Sequence, residues 1–236
     1  SANYFTNNVT EIVVGEGSQI DHYRLLLDNP DSFHIGTTVV HQEKASTFSS
    51  TSLQKGAALG RYNLTLTLAG PEATCNLNGL YMTTGSQHID NYINIEHVEP
   101  HTTSRLYYKG ILDGRSRAIF GGTVTVHRGA MKTDAQQKDK NLLLSREAEV
   151  DTKPALFIYA DDVKCGHGAT AGHMDETSLF YMRSRGIDLL TARRMLIQAF
   201  ASEIIGEVKV DILREYLERL FVSYENKLTI FQDSSS

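Results

Sequence analysis

From its start to about residue 160 the chain reads as short strands separated by small-residue breaks, with no 10–15-residue helical pattern among them. That absence is the strongest constraint on the fold, because parallel strands in βαβ units need a helix in each crossover. Leu64, Leu66 and Leu68 alternate with Thr65 and Thr67, and Val124 and Val126 alternate with Thr123 and Thr125. Period-two text of this kind predicts half-buried strands. Leu142–Leu144 and Leu156–Tyr159 are short apolar runs that read as strands buried on both faces. The breaks are Gly56-Ala57-Ala58, Ala69-Gly70-Pro71, Gly114, Gly121-Gly122 and Gly129-Ala130. Asn78-Gly79 and Asp113-Gly114 are isolated hairpin candidates. The pattern leaves two architectures open, an antiparallel sandwich and a stacked β-solenoid.

From Asp175 the period becomes helical. A short helix is expected from Asp175 to Arg185, with Asp175 as N-cap and Gly186 closing it. Leu189, Ala192, Leu196, Ala199, Phe200 and Ile204 form an amphipathic stripe on a second helix. Val210, Leu213, Leu217, Leu220 and Phe221 form one on a third, with Gly206 as the joint. The plain reading of both stripes is mutual packing and a seal over the end of the β-core. The sharper one is a surface for a partner.

Composition excludes several classes. Hydrophobic residues at 41% suffice for a core, so disorder is not the reading. A net charge of −5 gives no basic field for nucleic acid, and Lys138-Asp139-Lys140 and Arg193-Arg194 read as solvated faces. No apolar run is long enough to cross a membrane, and the N-terminus has no secretory pattern. Cys75 and Cys165 form neither a disulfide framework nor a CxxC pair, which suits a reducing cytoplasmic compartment. Ser1-Ala2-Asn3 reads as an expression scar and Ser234-Ser235-Ser236 as a frayed tail.

Candidate chemistry concentrates in Asp161–Ile187, DDVKCGHGATAGHMDETSLFYMRSRGI. On a strand, Cys165 and His167 would leave the backbone on one face, a half-site for a soft metal. Two ligands cannot close a zinc or cluster site, which needs about four. His173 is the available third. The plainer alternatives are a buried thiol at 165 and a hydrogen-bonded interface histidine at 167. His97 and His101 flank Glu99 and read as exposed loop residues near Pro100. Asp161-Asp162 reads as turn chemistry rather than an acid–base pair. No GxSxG or GxxxxGK[ST] occurs, so neither a serine-hydrolase elbow nor a P-loop ATPase is expected.

The same stretch resembles the SufB/SufD family of scaffold subunits in SUF iron–sulfur cluster assembly. The likeness runs from about residue 37 to 222. It includes Tyr108-Lys109-Gly110-Ile111-Leu112-Asp113-Gly114, Thr133-Asp134-Ala135-Gln136-Gln137, Asn141-Leu142-Leu143-Leu144-Ser145, Pro154, Ala160–Cys165, Ala192-Arg193 and Ala199-Phe200. Gly166-His167-Gly168 before Ala169-Thr170 resembles the SufD paralogues, since SufB carries Glu-His-Glu there. Many family members have Ser where this chain has Gly166 and Val where it has Ala171. Neither departure removes a candidate ligand. The family has a helical region ahead of the core with no counterpart here, so the chain is expected to be a fragment.

The resemblance implies a right-handed parallel β-helix followed by a helical segment. Residues 1–36 are then a lead-in, 37–170 the β-helix and 171–236 the helices. It also implies a non-enzymatic scaffold that pairs with a SufB-like subunit through the end of the β-helix. A SufC-like ATPase is expected on the C-terminal helices, with Phe180, Arg183, Arg185, Leu196 and Phe200 as candidate contacts. An iron–sulfur cluster would form transiently at the subunit interface, with His167, and Cys165 beside it, as assembly residues. A homodimer of the isolated chain is a further expectation. The alternatives outside this family are a solenoid carbohydrate-active enzyme and a mononuclear metal-binding module. The chain has no Trp and no carboxylate cluster at strand spacing, which disfavours the enzyme.

Overall fold

The computed structural model describes residues 4–232, so Ser1–Asn3, read as a scar, and Ser234–Ser236, read as a frayed tail, lie outside the described residues. Twelve strands precede the helices: β1 (Phe5–Val14), β2 (Gln19–Leu26), β3 (Phe33–Gln42), β4 (Thr47–Lys55), β5 (Leu59–Leu68), β6 (Thr74–Thr83), β7 (His88–His97), β8 (Thr103–Leu112), β9 (Arg117–Val126), β10 (Asp134–Leu143), β11 (Glu149–Ile158) and β12 (Lys164–Gly172). Odd-numbered strands form one six-stranded sheet and even-numbered strands the other. All pairings are parallel, so each coil contributes one strand to each sheet and the next coil stacks on it in register. The fold is a two-faced parallel β-solenoid, and the sandwich alternative is excluded.

The register turns the alternating text into columns. Val40, Leu66, Ile95, Val124 and Leu156 stand over one another in successive coils of the odd sheet. The first four are 0–1% exposed and form the spine of the core. In-register neighbours of a parallel sheet share a face, so one apolar inward position per strand repeats as a continuous stripe. Bulk in the even sheet is balanced by glycine. Tyr108 stacks on Gly79, where a Cβ would lie 2.2 Å from the ring, and Tyr81 stacks on Gly110 in the same way. Gly79 is therefore a seat for a ring inside β6 and not a hairpin turn. Gly114 does turn the chain, with φ of 70°, but it joins strands of different sheets.

The solenoid begins at Phe5 rather than at residue 37, so most of the supposed lead-in is the first coil. That coil was hard to read because the positions of β1 that share the inward register include Thr6, Asn8 and Thr10, which are polar. The run at 156–159 is not buried on both faces: Phe157, Ile158 and Tyr159 are 49%, 44% and 60% exposed, because β11 is an edge strand, Phe157 points to the outer face of its sheet that the helices leave bare, and Tyr159 lies past the strand's end.

Four helices follow: α1 (Glu176–Ser184), α2 (Leu189–Ile205), α3 (Asp211–Glu225) and α4 (Thr229–Gln232). The Asp175 carboxylate caps α1 by accepting from the Thr177 and Ser178 amides, and Asp188 caps α2 through the Thr191 amide. The helices do not seal the end of the solenoid. They cover the outer face of the even sheet, where Leu53, Leu80, Met82, Ile111 and Leu142 pack against Ile197, Ala201, Ile204, Leu217 and Phe221. The buried face of α2 runs through Ala192, Ile197, Ala201, Ile204 and Ile205, whereas Ala199 of the expected stripe is exposed. The supporting sheet selects that face, and the helix's own text does not name it.

Polar ties hold the layer down. Lys109, 1% exposed, donates from β8 to the Phe200 carbonyl of α2 at 2.9 Å and pairs with Glu203 at 2.7 Å. The Thr229 amide and hydroxyl both donate to the Asp113 carboxylate at 2.6 Å. The outer face of the odd sheet carries cross-strand ion pairs instead, Arg61–Asp90 in register and Arg117–Asp151 on the diagonal, each at 2.6 Å.

Leu66→Ala should cost about 2–5 kcal/mol in urea unfolding, because the column cannot collapse around the cavity without shifting a whole coil. A loss under 1 kcal/mol would show that the column is not the spine of the core.

Candidate functional site: the open end of the solenoid

β11 and β12 end the two sheets side by side, and neither has a neighbour beyond it. In a parallel ladder alternate residues turn their N–H and C=O to each side. The Tyr159 amide donates to Val126 and the Glu149 amide to Ser116, so odd-numbered residues of β11 face inward to β9. Even-numbered residues 150–158 therefore present their peptide groups to the open end. On β12 the Lys164 amide donates to Thr133, which leaves Cys165, His167, Ala169 and Ala171 facing out. These residues also share the lumenal face of their columns, over Ala135, Gln137, Asp139 and Asn141. The end is a mouth with two bare strand edges and the lumen between them.

Cys165 and His167 lie on that face about 6.6 Å apart along the strand. Cys165 is half-buried and packs against the core, and burial pushes its thiol above the ordinary range. His167 is exposed, and its imidazole has no hydrogen bond or ion pair among the described residues. Cys75 stands in the column of Cys165, separated from it by Ser104 and Ala135, so the two thiols cannot meet. His173 is not a third ligand. It lies past the end of β12, and its Nδ1 bonds the Leu143 carbonyl at 2.9 Å. No group of three His, Cys, Asp or Glu among the described residues could hold a metal ion.

The layer beneath the mouth is polar. Asp139, 1% exposed, accepts from the Asn141 amide at 2.7 Å, and the Tyr81 hydroxyl donates to Asn141. Burial pushes the Asp139 carboxyl up to about 7. His97 also differs from its sequence reading. It is an inward residue, fully buried, with its ring nitrogens bonded to the Thr102 and Ser104 hydroxyls at 2.7 and 2.9 Å. Burial lowers it to about 4. His101 alone is the exposed loop residue, at φ of 60°. Asp162, at φ of 54°, makes the turn into β12 and pairs with Lys132, as turn chemistry requires.

Residue-by-residue reading missed the other half of the mouth: Val150, Thr152, Pro154 and Leu156 on β11. The available signal was Pro154, since proline in strand text marks an edge whose N–H position faces away from the ladder. The five docking candidates differ in exposure. Phe180, Arg183 and Arg185 are exposed on α1 and its C-cap, Phe180 at 73%. Leu196 and Phe200 are partly buried on α2, in a groove with Leu142 and Thr170–Asp175. The Phe200 ring lies under Lys109 Nζ at 4.2 Å. No described helix is long and apolar enough to cross a membrane.

The chain is a parallel β-solenoid with one sheet face under helices and a bare two-edged end that carries a thiol and an imidazole. The chain belongs to the family described as SUF system FeS cluster assembly, SufBD core domain, which matches residues 1–200. It is 39% identical over 215 residues to the iron–sulfur cluster assembly protein SufD of Escherichia coli, covering 91% of this chain and 51% of that protein. A SufBD family protein of Synechocystis is 39% identical over 216 residues, covering 92% of this chain and 48% of that one. Protein ABCI7, chloroplastic, of Arabidopsis thaliana is 40% identical over 203 residues, covering 86% and 43% respectively. The chain thus spans about half the length of these curated relatives.

The two buried titrating groups pull stability in opposite directions with pH. The folded state disfavours protonated His97, so that contribution is full above about pH 6.5 and is lost as pH falls towards 4. The folded state retains a proton on Asp139 that an unfolded carboxyl releases near pH 4, so stability falls as pH rises towards 7. Asp139→Asn removes only the second slope. Its stability relative to the parent should climb by about 1.4 kcal/mol per pH unit between pH 4.5 and 6.5. A pH-independent difference in urea unfolding would show that Asp139 titrates normally.

Proposed function

We propose that this chain is the core of a non-enzymatic scaffold subunit for iron–sulfur cluster assembly, of the SufD type. It pairs through its open end with a second, SufB-like β-solenoid. The observation that carries this reading is the mouth itself. Two adjacent unpaired edges offer strand addition to both sheets of a partner at once, and His167 stands between them with no partner of its own.

The cluster is cargo, and the residues present fit a shared site better than a resident one. His167 offers an imidazole, and Cys165 a thiol whose ionisation burial opposes until a metal displaces the proton. Two donors leave iron unsaturated, so the completing ligands come from the partner's face of the junction. His167 is the principal assembly residue and Cys165 its neighbour. A SufC-like ATPase docks on the helical layer, with the exposed Phe180, Arg183 and Arg185 as first contacts and Leu196 and Phe200 at the groove beside β12. Lys109 and Asp113 tie that layer to the strands, so a force on the helices reaches the even sheet.

Two experiments test this. In the full-length protein, His167→Ala should abolish cluster formation by the assembled complex while scaffold pairing persists, with a smaller loss for Cys165→Ser. Normal cluster formation by His167→Ala would reduce the residue to a structural role. Ala169→Pro removes an N–H that faces only the open end, as Pro154 does on β11, so the melting temperature should hold. Pairing with the second scaffold should weaken about tenfold, since an edge hydrogen bond is lost and the added ring obstructs approach. Unchanged affinity would mean that the partner binds elsewhere.

A further inference from the structure

Gln137 lies on β10 directly beneath His167, one coil down in the same lumenal column. It is 1% exposed. Its side chain crosses the lumen to the other sheet, where Nε2 donates to the Gly122 carbonyl at 3.2 Å. The crossing needs glycine, because a Cβ at position 122 would lie 2.0 Å from that nitrogen. A carbonyl only accepts, so this contact fixes the carboxamide with its nitrogen towards Gly122 and its oxygen turned away. That oxygen, Oε1, is buried with no hydrogen-bond partner.

Its surroundings offer few donors. Leu106 beneath it is apolar. Asp139, two residues along the strand, already holds Asn141, and at pH 8, above its titration near 7, its carboxylate only accepts; Cys165 stands over Ala135, whose backbone it bonds. His167 above it carries an imidazole N–H with no partner. A buried orphan acceptor and an unused donor thus occupy neighbouring positions of one column.

We propose that Gln137 is the positioning residue for His167: its orphaned carboxamide oxygen takes one imidazole N–H. The bond selects a single neutral tautomer and orients the ring, leaving the second nitrogen as a lone-pair donor aimed out of the mouth. Imidazole ligands act through the unprotonated nitrogen, and the partner of the other nitrogen decides which one that is. The consequence for cluster building rests on the role proposed above for His167, but the contact itself does not.

The test is ¹⁵N NMR of the imidazole-labelled chain at pH 8, with the His167 signals assigned by their loss in His167→Ala. The expected result is one ring nitrogen in the N–H range and one in the lone-pair range. Gln137→Leu should draw the two shifts together as the tautomers average, and Gln137→Glu, which keeps an acceptor, should hold them apart. Gln137→Met repeats the deletion with a more adaptable side chain should the leucine variant fail to fold. Averaged shifts in the parent chain, or unchanged shifts in both deletions, would overturn the contact. Cluster formation by the full-length complex is read separately. A fixed tautomer with normal assembly by His167→Ala removes the chemical role of His167 and leaves the contact standing.

Discussion

Coil-on-coil stacking in parallel register is the constraint from which the rest of this structure follows. Each strand bonds the strand one coil away, so its inward side chains meet residues about 30 positions distant in sequence. Val40, Leu66, Ile95 and Val124 are neighbours for that reason alone. The same register sets Tyr108 on Gly79 and Tyr81 on Gly110, and a one-residue slip of either strand would turn its ring out of the lumen. The hydrophobic effect supplies the drive and the ladder supplies the addressing.

A stacked sheet must also end, and its last strand keeps unpaired peptide groups. Here both sheets end at the same coil, and the helices are engaged elsewhere, on the outer face of the even sheet. Lys109, Asp113 and the Tyr224 hydroxyl, near the Ile111 and Thr83 carbonyls, hold them there. Pro154 blunts one edge in its middle without breaking an inner bond. The mouth is thus protected in part and left able to accept strands.

The lumen is less uniformly apolar than the columns suggest. His97 and Asp139 are both buried, and both are held towards their neutral forms by the same desolvation, one by losing a proton and the other by keeping it. The Gln137 carboxamide, bridging to Gly122, belongs to the same polar layer under the mouth. Its position places a hydrogen-bonding group where the imidazole above can use it.

Much of the fold was legible in the text: Leu64-Leu66-Leu68 and Val124-Val126 alternate as strands do, and the period changes at Asp175, where α1 is capped. The parallel solenoid was not separable from a sandwich on pattern, because alternation records which face is buried and not which strand lies alongside. The first coil escaped because several inward residues of β1 are polar, and the edge status of Leu156–Tyr159 escaped because an apolar run does not state its neighbours. At the site, Cys165 and His167 could be paired from their spacing of two, a property of any strand. That His173 stays apart, that His97 is buried, that Pro154 shares the mouth and that Gln137 lies beneath His167 all depend on register across coils. Local sequence determines side-chain periodicity through backbone geometry, whereas contacts across a solenoid are long-range, and only the stacked tertiary structure decides them.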